Sequence, residues 1–292
     1  MERKDFIKNG LMGTGMFVAS AALGNVITNE VDELKELEPV GFNHLPNTDS
    51  AVTASTVLHK ADTRGHANHG WLDSHHTFSF ANYYNPERMH FGVLRVLNDD
   101  RVDAGMGFGR HPHDNMEIIS IPLEGDLEHK DSMDNVAVIK HGDIQVMSAG
   151  TGIFHSEYNK NKDQEAKFLQ IWLFPKTKNV TPRYDQLTLN IDDRHNKLQQ
   201  VLSPGKNDAG VWINQDAWFH IGRFDKDFSV DYTLKNPANG VYAFVIKGDF
   251  TIANNQLNQR DGLGIWDTNK IAIQAHSADA EILLMEVPMT IS

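Results

Sequence analysis

The sequence predicts an all-β protein built from two similar antiparallel barrels, and three observations lead there. After residue 52 the chain runs as short apolar segments, at 91–97, 117–123, 135–139, 144–147 and 168–174, punctuated by Gly, Asn, Asp and Pro. Segments this short, at this spacing, suit the antiparallel strands of a sandwich or barrel. Long stretches of helical period are scarce in the same region. Finally, the later half echoes the earlier one. Glu117-Ile-Ile-Ser-Ile-Pro-Leu-Glu-Gly-Asp-Leu127 has the pattern of Val241-Tyr-Ala-Phe-Val-Ile-Lys-Gly-Asp-Phe250, an apolar strand that turns at Gly-Asp. Gly142-Asp-Ile-Gln-Val-Met147 parallels Gly262-Leu-Gly-Ile-Trp266, and Phe168-Leu-Gln-Ile-Trp-Leu-Phe-Pro175 parallels Glu281-Ile-Leu-Leu-Met-Glu-Val-Pro288.

A chain of 292 residues, 40% hydrophobic and 23% charged, is long enough for two modest domains of ordinary globular composition. We expect the first at 53–180 and the second at 181–292, meeting near 178–190. The formal net charge of −12 disfavours nucleic acid and anionic membrane as partners, because both need Lys and Arg to displace counterions. With no cysteine, disulfides, thiolate metal sites and cysteine nucleophiles are excluded.

Taken in order, residues 1–27 have the layout of an export signal. Arg3-Lys4-Asp5-Phe6-Ile7-Lys8 is followed by an uncharged stretch from Gly10 to Ile27 rich in Ala, Gly and Met. The opening resembles a twin-arginine signal with Lys4 in place of the second arginine, and Ala19-Ser20-Ala21 offers a cleavage site. The expectation is export to the periplasm with no membrane anchor after cleavage; the alternative is an uncleaved segment or a cytoplasmic chain. Residues 28–52, polar and carrying Pro39 and Pro46, read as a linker.

The first barrel holds the chemistry. Eleven of the 15 histidines lie between His59 and His155. Two dyads stand out, His111-Pro112-His113 and His155-Ser156-Glu157. On a strand, alternate side chains share a face, and residues two apart lie about 6.6 Å apart along the chain. Each dyad therefore aims both members into one space, and two neighbouring strands would gather three imidazoles and a carboxylate. That donor set suits one divalent transition metal with open positions, and Fe(II), Mn, Co, Ni, Cu and Zn all accept it; Fe(II) is the expected ion. Pro112 lacks an N–H and belongs at a sheet edge or barrel mouth. Gly105-Met-Gly-Phe-Gly109 and Ala149-Gly-Thr-Gly152 give each dyad a close-packed, bendable approach. Glu117 is a rival fourth ligand: it shares parity with His111 and His113 unless the turn-like Asp114-Asn115 breaks the strand. His75, His76, His129 and His141 are expected around the site, in the core or on the surface. The second barrel has no His-x-His; His220 and His276 stand alone and are expected to be structural, leaving that barrel without metal.

These residues resemble the pirin family of the cupin superfamily. Gly105-x5-His111-Pro-His113-x3-Glu117 is similar to the first cupin motif, and Gly142 through His155-Ser-Glu157 to a pirin-like second motif. The likeness extends to Gly70-Trp-Leu-Asp-Ser-His-His-Thr-Phe-Ser-Phe-Ala-Asn-Tyr-Tyr84, Thr181-Pro-Arg-Tyr184 and Asp261-Gly-Leu-Gly-Ile-Trp266, covering roughly residues 56–290. The resemblance implies a bicupin, two tandem double-stranded β-helix (jelly-roll) barrels with metal in the first only. It implies His111, His113, His155 and Glu157 as ligands, with Glu117 left out. It also implies 2,3-dioxygenase activity on a flavonol such as quercetin with O₂. Glu157 is the candidate catalytic base for the substrate hydroxyl. The competing expectation is a non-catalytic, metal-dependent binding or regulatory module. A monomer is expected in either case.

Overall fold

The computed structural model describes residues 54–291, and they fold almost wholly as strands. The expected export segment and linker lie outside the described residues. The first half carries β1 (Ser55–His59), β2 (Gly65–Asn68), β3 (Leu72–His76), β4 (Leu94–Val102), β5 (Gly107–His113), β6 (Glu117–Glu124), β7 (Leu127–Asp131), β8 (Val136–Ile139), β9 (Asp143–Ser148), β10 (Ile153–Asn159) and β11 (Ala166–Leu173). The second carries β12 (Arg183–Thr188), β13 (Leu198–Ser203), β14 (Val211–Trp212), β15 (Trp218–Phe224), β16 (Ser229–Thr233), β17 (Asn239–Lys247), β18 (Phe250–Ile252), β19 (Asn255–Leu257), β20 (Gly262–Trp266), β21 (Lys270–Ala275) and β22 (Ala280–Pro288).

Each half is a seven-stranded sheet packed on a four-stranded one. In the first, the order β12-β9-β6-β11-β4-β3-β2 accompanies β5-β10-β7-β8; in the second, β1-β20-β17-β22-β15-β13-β14 accompanies β16-β21-β18-β19. The three echoed segments occupy matching places, β9-β6-β11 and β20-β17-β22. The fold is therefore two similar all-β barrels, as the repeat foretold, in the bicupin layout that the resemblance implied. The halves also exchange edge strands. β1 pairs with β20, from Ser55↔Trp266 to His59↔Gly262, and β12 pairs with β9. Both pairings cross the point in the chain where one barrel was expected to give way to the other.

Two burial patterns explain which strands go where. β17 and β22 are continuous apolar runs because both of their faces are covered. Val241, Ala243, Ile282 and Leu284 fill the second barrel, whereas Tyr242, Phe244, Leu283 and Met285 point into a core shared with Ile119, Ile121, Leu169 and Ile171 of the first. This shared core is the seam between the barrels. β10 instead alternates: Ile153, His155, Glu157 and Asn159 are buried, and Phe154 and Tyr158 are exposed. One face of the β5-β10-β7-β8 sheet thus looks into the first barrel, and that face carries the dyads.

Candidate metal centre

The dyads meet through the register of β5 and β10. His155 lies opposite His111, and Ile153 opposite His113. Directly opposed side chains on an antiparallel pair share a face, so three imidazoles converge. Their ring centroids are 4.4 Å apart for His111 and His155, 4.8 Å for His111 and His113, and 4.9 Å for His113 and His155. One nitrogen from each lies within 4.8 Å of the other two. His111 and His155 are buried and His113 is half-buried, so the group opens on the His113 side.

Hydrogen bonding orients the rings. The register slips between His155↔His111 and Glu157↔Phe108, so two residues of β10 span three of β5. This bulge turns the Gly109 carbonyl toward His111, whose Nδ1 lies 2.7 Å from it. A carbonyl only accepts, so Nδ1 carries the proton and the lone pair sits on Nε2. His155 is set by a chain from the neighbouring strand. Asp131 Oδ2 accepts from His129 Nε2 at 3.1 Å, which leaves His129 Nδ1 to accept, at a long 3.5 Å, from His155 Nδ1. Burial opposes ionisation of Asp131, but hydrogen bonds from Asn135, His129 and the Met133 and Asn135 amides outweigh it and hold the carboxyl below its usual range. His129, expected only somewhere near the site, is thus the support of His155, with its other face stacked on Tyr184 at 4.5 Å.

Glu157 is buried beside His155, and the two form a second group within 4.8 Å together with His129. Both of its oxygens are held: Ser120 Oγ donates to Oε1 at 3.0 Å and Gln170 Nε2 to Oε2 at 2.8 Å. Glu117 points elsewhere. β5 ends at His113, Asn115 takes a left-handed turn at φ 44°, and Glu117 opens a strand of the other sheet. Its Oε2 accepts from Ser148 Oγ at 2.7 Å and from the Asn214 amide at 3.2 Å, on the second barrel's side. The parity it shares with the histidines in sequence is broken by that turn.

The other histidines separate by location. His76 is buried and bonded to Ser74, while His75 lies near the surface in a loose group with His66 and Asp73. His141 is exposed on the loop before β9. In the second barrel His220 is buried against Tyr232, where burial pushes it down to about 4, and His276 meets Thr251 at the surface. Glu286 inside that barrel accepts from Tyr232, Asn239 and the amides of Lys235 and Asn236.

Sequence reasoning missed Ser120, Gln170, Asp131 and Trp172. Ser120 and Gln170 are polar residues inside apolar runs, the signal by which a barrel interior that must hold a carboxylate could have been found. Trp172 lies edge-on to His113 at 4.9 Å and to Phe80 at 5.3 Å. With Met116, Met133 and Ile118 it makes one wall of the site apolar. The donor set fits a first-row divalent ion: oriented imidazole lone pairs and a buried carboxylate, with no thiolate.

Comparison with known proteins agrees with this geometry. The Pirin family profile matches residues 57–173, and the profile of the quercetinase C-terminal cupin domain matches residues 200–287. A quercetin 2,3-dioxygenase of Escherichia coli (strain K12) is 46% identical over 231 residues, 79% of this chain and 98% of that one. A pirin-like protein of Caulobacter vibrioides is 38% identical, covering 77% of this chain and 96% of its own. The crystal structure of the bacterial pirin YhhW from Escherichia coli in complex with nickel(II) superposes with a TM-score of 0.75 at 45% identity, over 80% of this chain and 99% of that one. The chain therefore belongs to the pirin family, its second half a quercetinase-type cupin.

Proposed function

We propose that the protein is a metal-dependent 2,3-dioxygenase that cleaves a flavonol such as quercetin with O₂. The observation that carries it is the buried convergence of His111, His113 and His155 beside Glu157 in a chain whose 46%-identical relative is a quercetin 2,3-dioxygenase. His111, His113 and His155 would hold the ion with Glu157 as fourth ligand; Fe(II) is our assignment, and nickel(II) is the ion in the related YhhW structure. A bound divalent ion supplies Lewis acidity, which lowers the pKa of a substrate hydroxyl, and a coordination position for a second reactant.

The chain's own residues supply the rest. Glu157 is the base for the flavonol 3-hydroxyl, and Ser120 and Gln170 hold its two oxygens at the barrel interior. The His129–Asp131 chain keeps the His155 lone pair turned inward. Trp172, Phe80 and the methionines beside them give a flat aromatic substrate an apolar wall and exclude water next to the half-buried His113. Export on the signal-like residues 1–27 would put the reaction in the periplasm, and a monomer is our assignment.

The test is turnover of quercetin by the metal-loaded protein with and without oxygen. Loss of flavonol absorbance with release of carbon monoxide, only in air, is expected. No oxygen-dependent loss with metal confirmed present would leave a metal-dependent binding module as the better description.

A further inference from the structure

A cavity of about 260 Å³ lies at the rim of the seam, lined by none of the residues of the imidazole cluster. Its floor is apolar: Ile121 of the first barrel and Ile221 and Ile246 of the second, all part of the shared core. Arg194, in the one-turn helix Ile191–Arg194, lines the wall. It is only 7% exposed, its Nε is sealed from solvent, and among the described residues its guanidinium makes no hydrogen bond or ion pair. A buried charge without a partner is expensive, and proteins compensate it with an opposite charge.

No carboxylate of the lining is bonded to Arg194, although Glu281 is near enough to act on it. Glu281 lies across from Arg223 on β15 and from Lys247 on β17, so the carboxylate that acts on Arg194 also faces two other cations. Glu124 pairs with Lys167 at 2.8 Å, and Asp143 accepts from two neutral donors, Gln186 at 2.8 Å and the Lys140 amide at 2.9 Å. Arg260 pairs with Asp99 at 3.0 Å, a carboxylate that Arg64 also reaches at 3.2 Å. His141 stands exposed at the rim. Burial pushes Arg194 down, Glu281 opposes this, and Arg223 adds to it. The lining as a whole balances, Arg194, Lys247 and Arg260 against Glu124, Asp143 and Glu281, and what sets the cavity apart is the buried Arg194 guanidinium with no direct partner.

We propose that this seam cavity binds a small organic carboxylate with an apolar body, its anionic end on Arg194 and Lys247 and its body on the isoleucine floor. The planar guanidinium matches a carboxylate in a two-point hydrogen bond. The floor favours a ligand carrying a ring or short chain over a bare oxyanion, in the usual balance of apolar lining with a few placed polar groups. The site is independent of the metal-centred reading above.

Benzoate is the probe, titrated calorimetrically into the metal-loaded full chain, with benzamide and inorganic phosphate as comparisons. One saturable benzoate site is expected, with benzamide not binding and phosphate weaker. Arg194→Leu and Lys247→Met should each weaken benzoate at least about tenfold, the loss of a charge-assisted hydrogen bond. Lys247 is exposed, so its variant keeps the fold even if the buried substitution does not. Binding should persist in His155→Ala, which separates this site from carboxylate capture by a bound metal. No saturable benzoate binding, equal binding of benzamide, tighter binding of phosphate, unchanged affinity in Lys247→Met, or loss in His155→Ala alone would each overturn the assignment.

Discussion

A histidine offers its lone pair from the nitrogen that does not carry the proton, and at His111 and His155 that choice is made by neighbours. The Gly109 carbonyl sets the first and the Asp131–His129 chain the second. His155→Ala should therefore lose most bound metal. Asp131→Asn should fold normally but bind metal about 10- to 100-fold more weakly, as removing an outer partner of a ligand does. Elemental analysis after dialysis against a graded chelator separates the two, and wild-type retention in both would sink the site. Glu117 carries a different prediction. Burial pushes its carboxyl up to about 7 from an ordinary 4.5, although Ser148 and Asn214 donate to it. Between those values the folded chain keeps a proton that the unfolded chain has released, so stability falls as pH rises through this window and levels off above it. Glu117→Gln should flatten that slope, by an amount on the order of 3 kcal/mol across the window. Urea unfolding at a series of pH values checks it; identical slopes would refute it. The two dyads were legible in sequence because a period of two is a property of the strand alone. Ser120, Gln170 and Asp131 were not, since each reaches its partner across strands whose register the sequence leaves open.

At the scale of the element, β5 and β10 make the site by coming unusually close. A Cβ on Gly107 would lie 2.3 Å from the Glu157 carbonyl and 2.5 Å from Tyr158 Cα, both backbone atoms. Gly107→Ala must push the strands apart just below the bulge that aims the Gly109 carbonyl. A loss of about 1–3 kcal/mol in stability is expected, as for other small-to-large changes at tight contacts, together with weaker metal binding. A variant as stable and as metal-rich as wild type, by thermal melting and metal content, would show the approach to be incidental. The glycines before each dyad announced a bend in the sequence. The bulge itself did not announce itself, because it depends on how two distant segments pair. The turn at Asp114-Asn115 was visible in composition, and it is what carries Glu117 into the other sheet of the barrel.

At the scale of the whole molecule, the seam core makes the two barrels one folding unit. Leu283 and Phe244 of the second barrel pack there with Ile119 and Ile171 of the first, all sealed from solvent. Leu283→Ala should cost about 2–5 kcal/mol and lower a single melting transition shared by both halves. Two separate transitions by calorimetry, with only one of them shifted, would mean that the barrels unfold independently. The exchange of β1 and β12 points the same way, since each barrel's large sheet is completed by the other half's segment. Sequence alone determined the all-β class, the repeat and the dyads, because apolar period, turn residues and two-residue spacing are local properties of the chain. Tertiary structure decided which carboxylate stands beside the histidines, which residues hold the rings, where the edge strands go and that Arg194 is buried at the seam. Those outcomes depend on register and on contacts between segments far apart in sequence, and only the closed barrels bring such segments together.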